Sequence, residues 1–370
     1  MPQVRAHALA NYLDVARFCG LNPYEMLRRV RLHPESLQQP ELHIASEAAA
    51  RLLEDSARDS ECAGFGLLMV QSRILSDLGP VSLLLEHEGT ARDVIDALIR
   101  YQELLGDILA LAIEQAEGTT IIHTELAADH VGPQATELLT GLICRTMSEL
   151  ASGQWYPDSV HFVHAAPDDL TVHHWIFQCP ILFECDFNGL VCASASLAAP
   201  NPKAEAAMAG YARAYLDLLT AQQGETSLTE QTRRALYLLL PAGRATLKQA
   251  AGTLGLHPRR LQRSLEEEGG SFSTLLNEVR RELALRYLST SPHNMTAISP
   301  MTGYASPSSF TRWFTAEFGM SPAAWRAEEK QGSTAEATSR VRTRSRPVHQ
   351  RRNTAVSVAS RRDGVAGRKG

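Results

Sequence analysis

Residues 246–267 read TLKQAAGTLGLHPRRLQRSLEE, and they predict a helix, a tight turn and a second helix. Thr246 and Gln249 have the spacing of a capping box, in which two side chains satisfy backbone donors at a helix start. Gly255 suits the left-handed conformation that ends a helix, and Pro258 suits the first position of the next helix. This order of signals is typical of a helix-turn-helix unit.

The second helix of this unit has one apolar face and one basic face. Leu261 and Leu265 lie on the side that would pack against the first helix, because residues four apart share a helix face. The opposite side consists of Arg259, Arg260, Gln262 and Arg263. Arginine can bind guanine, and glutamine can bind adenine, through paired hydrogen bonds in the major groove of DNA. We therefore interpret these four side chains as candidate DNA contacts.

A second copy of the unit lies closer to the C-terminus. Residues 303–307, GYASP, repeat the turn of the first unit with one extra residue. Phe310 and Phe314 follow Pro307 at the same spacing at which the two leucines follow the proline of the first unit. The polar side of this helix provides four further candidate DNA contacts, Ser308, Ser309, Thr311 and Arg312.

The residues between the two units predict one long helix. Residues 273–288 read STLLNEVRRELALRYL, with an expected buried stripe of Leu276, Val279, Leu283 and Tyr287. A rigid helix of this length would hold both units on one side of a duplex, roughly one turn of DNA apart. Its arginines, Arg280, Arg281 and Arg286, are weaker candidates for contacts with phosphates.

The charge of the chain changes sign along its length. The 370 residues have a net charge of -5. Residues 1–240 hold 15 basic and 31 acidic side chains, residues 241–328 hold 10 and 7, and residues 329–370 hold 11 and 3. The basic back part can therefore face a polyanion, from which the acidic front part would be repelled.

The composition is that of a soluble globular protein, with 44% hydrophobic and 21% charged residues. No apolar run approaches the roughly 20 residues that cross a bilayer, and the first residues lack the apolar stretch of a secretory signal. We expect a cytoplasmic protein that does not associate with membranes. Its six cysteines include no C-x-x-C pair, so we expect buried free thiols and not disulfides.

Helical and strand signals are mixed in the front half. Helical periodicity marks residues 42–58, 90–105, 136–151 and 204–219. Residues 107–115 and 119–126 predict a hairpin, and further short strands are expected at residues 160–163, 181–184 and 190–192. We therefore predict an α+β effector-sensing domain over residues 1–222 and an all-α domain with two helix-turn-helix units over residues 228–328. Residues 329–370 have almost no large apolar side chains and predict a disordered basic tail, which could add attraction to phosphates.

The segment 236–326 resembles the DNA-binding domain of the AraC/XylS family of transcriptional regulators. The resemblance is carried by AGTLGLHPRRLQRSL, FSTLLNEVRRELALRYL and GYASPSSFTRWFTAEFGMSPAAWR. The front half is similar to the branch of that family with an arabinose-binding-domain-like sensing domain. The supporting pieces are SDLGP at 76–80, the hairpin near Gly118 and CPILF at 179–183.

This resemblance implies a sequence-specific DNA-binding regulator that responds to a small-molecule effector and often acts as an activator. The partners that we expect are double-stranded DNA, RNA polymerase, the effector and a second copy of the chain. No cofactor is expected. The sequence does not indicate which residues bind the effector.

Two residues depart from the family pattern. Pro300 falls inside the first helix of the second unit, where it removes a backbone donor and clashes with the carbonyl of Thr296, at ~3 kcal/mol in a helix interior. Thr302 stands where the family has a large apolar residue. We therefore expect a second unit that is kinked or weakly docked.

Two other hypotheses remain open. The first is a DNA-repair alkyl-transfer enzyme, which uses a similar DNA-binding module but needs an activated thiolate. Cys144 lacks the expected Pro and His neighbours, familiar catalytic motifs are missing, and the spacing of His161, His164, His173 and His174 matches no zinc site. We therefore expect neither an enzyme nor a metal site. The second hypothesis is a front domain that only oligomerises and binds no ligand.

Overall fold

The computed structural model describes residues 3–329 except for residues 129, 152, 154, 224 and 225. Apart from Glu329, the predicted basic tail at residues 329–370 lies outside the described residues. The strands are β1 (Gln3–Arg5), β2 (His43–Ala45), β3 (Leu109–Ala116), β4 (Thr119–Leu126), β5 (Ser159–His161), β6 (Ile181–Leu182) and β7 (Gly189–Ala193).

Helices make up most of the rest. In the N-terminal region they are α1 (Tyr12–Phe18), α2 (Pro23–Arg29), α3 (Ser46–Ser60), α4 (Phe65–Gln71), α5 (Val81–Leu85), α6 (Ala91–Arg100), α7 (Gln102–Leu105), α8 (Pro133–Leu150), α9 (Thr171–Phe177) and α10 (Ala206–Gln223). In the C-terminal region they are α11 (Leu228–Leu239), α12 (Leu247–Thr253), α13 (Pro258–Glu267), α14 (Phe272–Thr290), α15 (Met295–Met301) and α16 (Pro307–Phe318), followed by a helical segment at residues 322–329. Short 3₁₀ helices are formed by Ala6–Leu9, Pro34–Gln38, Leu75–Leu78 and Ser194–Ala198.

The predicted hairpin is confirmed as β3 and β4, which pair from Leu109–Leu126 to Ala116–Thr119. Glu117 and Gly118 at its turn have φ of 48° and 84°, which matches the two-residue turns that follow the twist of a hairpin. The sheet continues in the order β3-β4-β7-β5-β6, with every pair antiparallel except β5 and β6. The predicted strands near residues 160, 181 and 190 are therefore members of the same sheet.

Helix α8 packs against β4 and β7 of this sheet, and most of its side chains are buried. The hydroxyl groups of Thr140 on α8 and Thr124 on β4 lie 2.7 Å apart. Helix α4 approaches α8 closely at Gly66, where a Cβ atom would meet the carbonyl oxygen of Gln134 at 2.2 Å. Because Gly66 has no Cβ atom, the two helices can approach closely here, and the backbone amide of Gly66 donates to the side chain of Gln134. The helices and the sheet together form the predicted α+β arrangement.

The C-terminal region is helical, and its buried apolar side chains form one group with Ala127 and Val163 of the N-terminal region. The stripe predicted on α14 is confirmed at Val279, Leu283 and Tyr287, but Leu275 is buried where Leu276 was expected and Leu276 is only half-buried. Helix α14 packs against α11 along this stripe. Among the described residues, no helix is long and apolar enough to span a membrane.

The second helix-turn-helix unit is fully docked, so the expected weak docking is wrong. Helix α15 continues through Pro300, which is exposed, while Ile298 and Met301 on its inner side are buried. Pro300 lies in the last turn of α15, one residue before the helix ends at Met301. Thr302 is completely buried, and its hydroxyl donates to the carbonyls of Ile298 and Ser299. This bonding compensates for the polar group that replaces an apolar one.

Candidate nucleic-acid interface

The first unit has the local structure that its sequence predicts. The Thr246 side chain accepts a hydrogen bond from the Gln249 amide at 3.2 Å and so caps α12. Gly255 has a φ of +65°, which lets the chain turn between α12 and α13. Leu261 and Leu265 on α13 are 0% and 1% exposed and belong to the buried group of the C-terminal region. The opposite side of α13 must therefore face outward.

All four candidate contacts on α13 are exposed: Arg259, Arg260, Gln262 and Arg263. Arg263 is 75% exposed, and its Nε lies 3.2 Å from Oε1 of Glu267. Gln262 donates to Glu266 at 3.1 Å. Exposed pairs of this kind contribute only about 0.2–1 kcal/mol, so a phosphate or a base edge can displace them. The side chains of Arg259 and Arg260 have no ion-pair partner within the described part of the chain.

The three consecutive glutamates at the end of α13 do not all face the same way. Glu268 accepts hydrogen bonds from the amides of Leu228 and Thr229, both at 3.0 Å, and so caps the N-terminus of α11. Hydrogen bonds from Thr229 and Leu228 lower the pKa of this carboxyl group. A negative charge at this helix end is also favoured by the helix dipole. Glu268 therefore fixes α13 to α11 instead of repelling a bound phosphate.

The second unit presents a smaller polar face. Ser306 caps α16 by accepting from the Ser309 amide at 3.2 Å, and the hydroxyl groups of the two serines lie 3.0 Å apart. Ser308 and Arg312 are exposed, whereas Ser309 and Thr311 are half-buried. The Ser309 hydroxyl is thus already engaged in the cap. Of the four predicted contacts on α16, Ser308 and Arg312 are the most accessible.

Arg280 and Arg281 connect α14 to the second unit. Arg280 donates to the carbonyl of Thr302 at 2.9 Å and lies over the Tyr304 ring, 4.9 Å from its centroid. Arg281 pairs with Glu317 at 3.1 Å and lies over the ring of Phe318. Arg281 is 49% exposed, and its contact with phosphate stays a prediction. Arg280 instead orients the turn that precedes α16.

The prediction that Arg286 contacts phosphate is wrong. Its side chain is only 9% exposed and pairs with Glu125 at the end of β4, with Nη1 3.2 Å from Oε2. Nη2 donates to the carbonyls of Leu126 and Ala128 at 2.8 and 2.7 Å. Sequence periodicity could not show this, because the residues that bury Arg286 lie about 160 positions earlier.

Other charged contacts join the same two regions. Arg234 on α11 pairs with Glu103 on α7, and Thr226 donates to the second oxygen of the same carboxylate. Arg244, just before α12, pairs with Glu114 on β3 at 3.1 Å. The helical region is therefore attached to the sheet region at several points on either side of the first unit.

Two of the four histidines named in the sequence analysis, His164 and His173, lie close to the carboxylate of Glu137. His173 Nε2 lies 2.8 Å from Oε1 of Glu137, and His164 Nε2 lies 3.5 Å from the same oxygen. Burial lowers the pKa of His164, and the charge of Glu137 opposes this shift. His161 stacks on Phe187 and His174 is exposed. Two of the four histidines thus share a partner, while the other two lie apart from it.

Alkyl transfer requires a cysteine whose thiol pKa is lowered, but the pKa values of these cysteines are raised. All six cysteines are free thiols, but only Cys144 and Cys192 are buried as predicted, and the other four are half-buried. Burial raises the pKa of each thiol, to about 12 for Cys19 and to about 11 for Cys179 and Cys192. Cys144 is 1% exposed within α8. Raised pKa values leave these sulfurs as unreactive thiols near neutral pH.

Two helix-turn-helix units, one with an exposed arginine face and both joined to an α+β region, define a DNA-binding transcriptional regulator. Comparison with known families agrees with this class. The arabinose-binding N-terminal domain of AraC transcription regulators matches residues 20–201, and a helix-turn-helix domain matches residues 250–328. The chain belongs to the AraC family of transcriptional regulators.

Similar proteins are also transcriptional regulators. The HTH-type transcriptional regulator VirS of Mycobacterium tuberculosis is 26% identical over 328 residues, which are 88% of this chain and 96% of VirS. The ornithine utilization regulator of Pseudomonas aeruginosa is 25% identical over 342 residues, again 88% of this chain and 96% of the relative. The urease operon transcriptional activator of Escherichia coli is 32% identical over 102 residues, 28% of this chain and 34% of the relative.

Proposed function

We propose that this regulator binds its operator through α13 and α16, that a small-molecule effector controls this binding, and that the bound protein activates transcription through contact with RNA polymerase. The observation that carries the proposal is the exposed basic face of α13 opposite two fully buried leucines. Activation is supported by the name of the relative that activates a urease operon. The three relatives compared above are regulators, which supports a protein that is not an enzyme.

The DNA contacts divide into two kinds. Arg259, Arg260, Gln262 and Arg263 on α13, with Ser308, Ser309, Thr311 and Arg312 on α16, would reach base edges and the adjoining backbone. Arg281 would contact a phosphate between the two units. Arginine side chains suit guanine, and short hydroxyl side chains suit phosphates or several bases. We therefore expect the first unit to specify sequence more strongly than the second.

Effector control needs a physical connection between the two regions, and Arg286 supports one. The carbonyls that it binds are those of Leu126, the last residue of β4, and of Ala128, two residues further on. The Ala127 amide between them donates to the carbonyl of Ile108 at 2.7 Å. A ligand that shifts this segment changes the contacts that hold α14, and therefore the placement of both units. In a protein coupled in this way, the effector changes the affinity for DNA, and DNA changes the affinity for the effector by the same factor.

A second copy of the chain is the partner that best fits α10. This helix exposes Met208, Tyr211, Tyr215 and Leu218, which are spaced by 3, 4 and 3 residues. The helix is anchored on a different side, where Ala209 and Leu216 are buried. Apolar residues at alternating spacings of three and four form the seam of paired helices, which supports a homodimer.

The experiment for the proposed function uses the full chain. Genome-wide mapping of bound DNA would identify an operator, and fluorescence anisotropy would measure affinity for that site and for a scrambled duplex at several salt concentrations. We expect selective binding that weakens linearly with the logarithm of salt concentration. Equal affinity for the two duplexes would contradict the proposal.

The dimer has a separate test. Tyr211→Glu should convert a dimer to a monomer in sedimentation velocity, since it introduces a charge into the proposed seam. Ala206→Glu places the same charge at an exposed position of α10 outside the stripe and should leave the dimer intact. A wild-type chain that sediments as a monomer at micromolar concentration would exclude this assembly.

Alkyl transfer is the alternative that the thiol environments disfavour. Incubation with alkylated DNA, followed by intact-mass measurement, should leave the mass of the protein unchanged. Stoichiometric addition of an alkyl group to one cysteine would favour the repair enzyme instead.

A further inference from the structure

A cavity of about 140 Å³ lies inside the N-terminal region. Its wall is formed by one side of α3, by α8, by the start of β3 and the end of β4, and by the N-terminal 3₁₀ helix. Most of the lining is aliphatic, including Leu53, Leu109, Leu126, Leu138 and Leu142. An apolar cavity of roughly this volume stays dry in water and accepts a molecule the size of benzene. The space therefore suits an apolar body of about six carbons or more.

One charged side chain is found among the described residues that line this mostly apolar wall. Arg73 follows α4 and is 3% exposed. Its Nη1 and Nη2 donate to the carbonyls of His7 and Ala8 at 2.7 and 2.6 Å, which anchor the guanidinium at the cavity. Its Nε is buried and has no hydrogen-bond partner. A buried donor without a partner costs free energy that a ligand with an acceptor would recover.

The charge of Arg73 is also uncompensated. Within the described residues, no salt bridge joins it to a carboxylate, although Asp77 acts on it from a distance. Burial lowers the pKa of the guanidinium to about 10, so it remains protonated near neutral pH. Burial, and then the charge of Arg73, lower the pKa of the neighbouring His7 imidazole. Among the described residues that line the cavity, Arg73 has a positive charge and none is acidic, since Asp77 and Glu41, which act on Arg73 and His7, do not belong to that lining.

We propose that this cavity binds an apolar monocarboxylate, with its hydrocarbon body among the leucines and its carboxylate on Arg73. A carboxylate provides the negative charge and the acceptor oxygens that the guanidinium lacks, and charge-assisted hydrogen bonds of this kind are the strong ones. This assignment rests on the proposed effector-responsive function, whose effector it identifies by chemical class.

Polar ligands fit this cavity poorly. Among the 21 described residues that line it, only His7, Ser46 and Arg73 have polar side chains. A sugar would place several hydroxyl groups against aliphatic carbon, and each unsatisfied group has a cost on burial. The family model that matches the N-terminal region is described as arabinose-binding, but this cavity favours a different ligand.

The position of the cavity suits an effector site. Leu126 contributes to its wall, and the carbonyl of the same residue accepts a hydrogen bond from Arg286 of α14. Val131, also in the wall, lies a few residues further along the same segment. A ligand that packs against Leu126 and Val131 therefore acts directly on the segment that holds the DNA-binding helices.

The first test measures ligand binding by the full chain without DNA. Isothermal titration calorimetry would compare octanoate with 1-octanol, which has the same hydrocarbon length without the charge, and with arabinose. We expect octanoate to bind about tenfold or more tightly than octanol, since hydrogen bonds to charged groups are the stronger ones. Equal binding of octanoate and octanol, or tighter binding of arabinose, would overturn the proposal.

Variants test whether octanoate binds in this cavity. Arg73→Met should reduce octanoate affinity to that of octanol while leaving octanol binding unchanged, and Arg51→Met on the exposed side of α3 is the matched control. If Arg73→Met does not fold, Ala135→Phe, which fills the cavity from α8, should abolish binding of both probes. Undiminished octanoate binding in the folded variants would refute the site.

A final measurement separates this inference from the proposed function. Octanoate is added to the complex of the protein with its operator. Binding at Arg73 with no change in operator affinity or in transcription would retain the site and refute effector control through it. A changed affinity that persists in Arg73→Met and Ala135→Phe would retain an effector-responsive regulator and refute this cavity as its site.

Discussion

Arg286 of α14 and Glu125 of β4 form a buried ion pair that joins the helical region to the sheet region. The two side chains are each 9% exposed, and the charged atoms are 3.2 Å apart. Asn188 donates to the second oxygen of Glu125 at 2.7 Å, and Arg286 lies over the ring of Tyr237. Burial raises the pKa of Glu125, and the charge of Arg286 opposes that shift. Each charge therefore stabilises the other, and removal of either side chain leaves its partner buried without a counter-charge.

Breaking this pair should destabilise the chain strongly. Arg286→Met leaves a carboxylate buried without its cation, and we expect a loss of about 3–5 kcal/mol in the free energy of unfolding. The double variant with Glu125→Gln should lose less than the sum of the two single variants, since the partners are coupled. Urea denaturation followed by circular dichroism measures the free energy of unfolding of the two single variants and of the double variant.

The matched control for this cycle is an exposed pair of the same length. Arg100 and Asp217 are also 3.2 Å apart, but their side chains are 60% and 49% exposed. Arg100→Met should therefore change the free energy of unfolding by at most about 1 kcal/mol. Similar losses for Arg100→Met and Arg286→Met would show that burial does not control the strength of the Arg286 pair.

The basic face of α13 gives a second prediction, for DNA affinity. Arg259→Ala and Arg263→Ala should each weaken binding to the operator by about 1–3 kcal/mol where the side chain contacts a guanine. A side chain that contacts only phosphate should instead weaken binding to all sequences and reduce the salt dependence by about one ion. Arg51→Ala, an exposed arginine on α3, should change neither. Fluorescence anisotropy against two duplexes distinguishes these outcomes, and unchanged affinity in both α13 variants would remove α13 from the interface.

The glycines of the two turns give a third prediction. Gly255 and Gly303 have φ of +65° and +77°, which side chains other than glycine adopt only with strain. A Cβ at Gly255 would meet nothing within 4 Å, whereas at Gly303 it would meet Cδ1 of Leu240 at 2.9 Å. We expect Gly255→Ala to cost about 1 kcal/mol and Gly303→Ala to cost more, since the clash adds to the backbone strain. Thermal unfolding of the two variants tests this order, and equal losses would be inconsistent with it.

Glu54 provides a prediction for pH. Burial raises its pKa to about 7, although its carboxylate accepts a hydrogen bond from the Gln134 amide. Because the folded state holds the proton more tightly than the unfolded state, the stability from this group falls as pH rises from about 4.5 to about 7. Between pH 5 and pH 8, wild type should lose stability relative to Glu54→Gln, on the order of 1 kcal/mol. Glu47→Gln, at an exposed position on the same helix, should follow the wild-type profile. Parallel profiles for wild type and Glu54→Gln would contradict the assignment.

Local patterns were sufficient for the two units and for the hairpin. The capping threonine, the turn glycine and the leucines at i and i+4 act within one or two helical turns, so their spacing in the sequence reports their structure directly. The same holds for Glu117 and Gly118, whose positive φ values fix the hairpin turn. The predicted helix at residues 90–105 was less exact, because it divides into α6 and α7 at Tyr101.

Pro300 shows how tertiary packing can override a local rule. Pro300 was expected to kink or loosen the second unit, yet its ring lies on the exposed side of the last turn of α15 while Ile298 and Met301 are buried. The role of Arg280 was missed for a similar reason. Its partners, Thr302 and Tyr304, lie in another element, and spacing on α14 does not report them.

The sequence by itself determined the class of fold, the two units and the outward face of α13, because each depends on periodicity and capping over a few residues. Only the tertiary structure decided that Arg286 belongs to the joint with Glu125 and that Arg73 lines an apolar cavity. Both arginines look like surface residues in the sequence, since an isolated cation carries no sign of its surroundings. Their burial depends on strands and helices distant in the chain, and only folding brings those elements together.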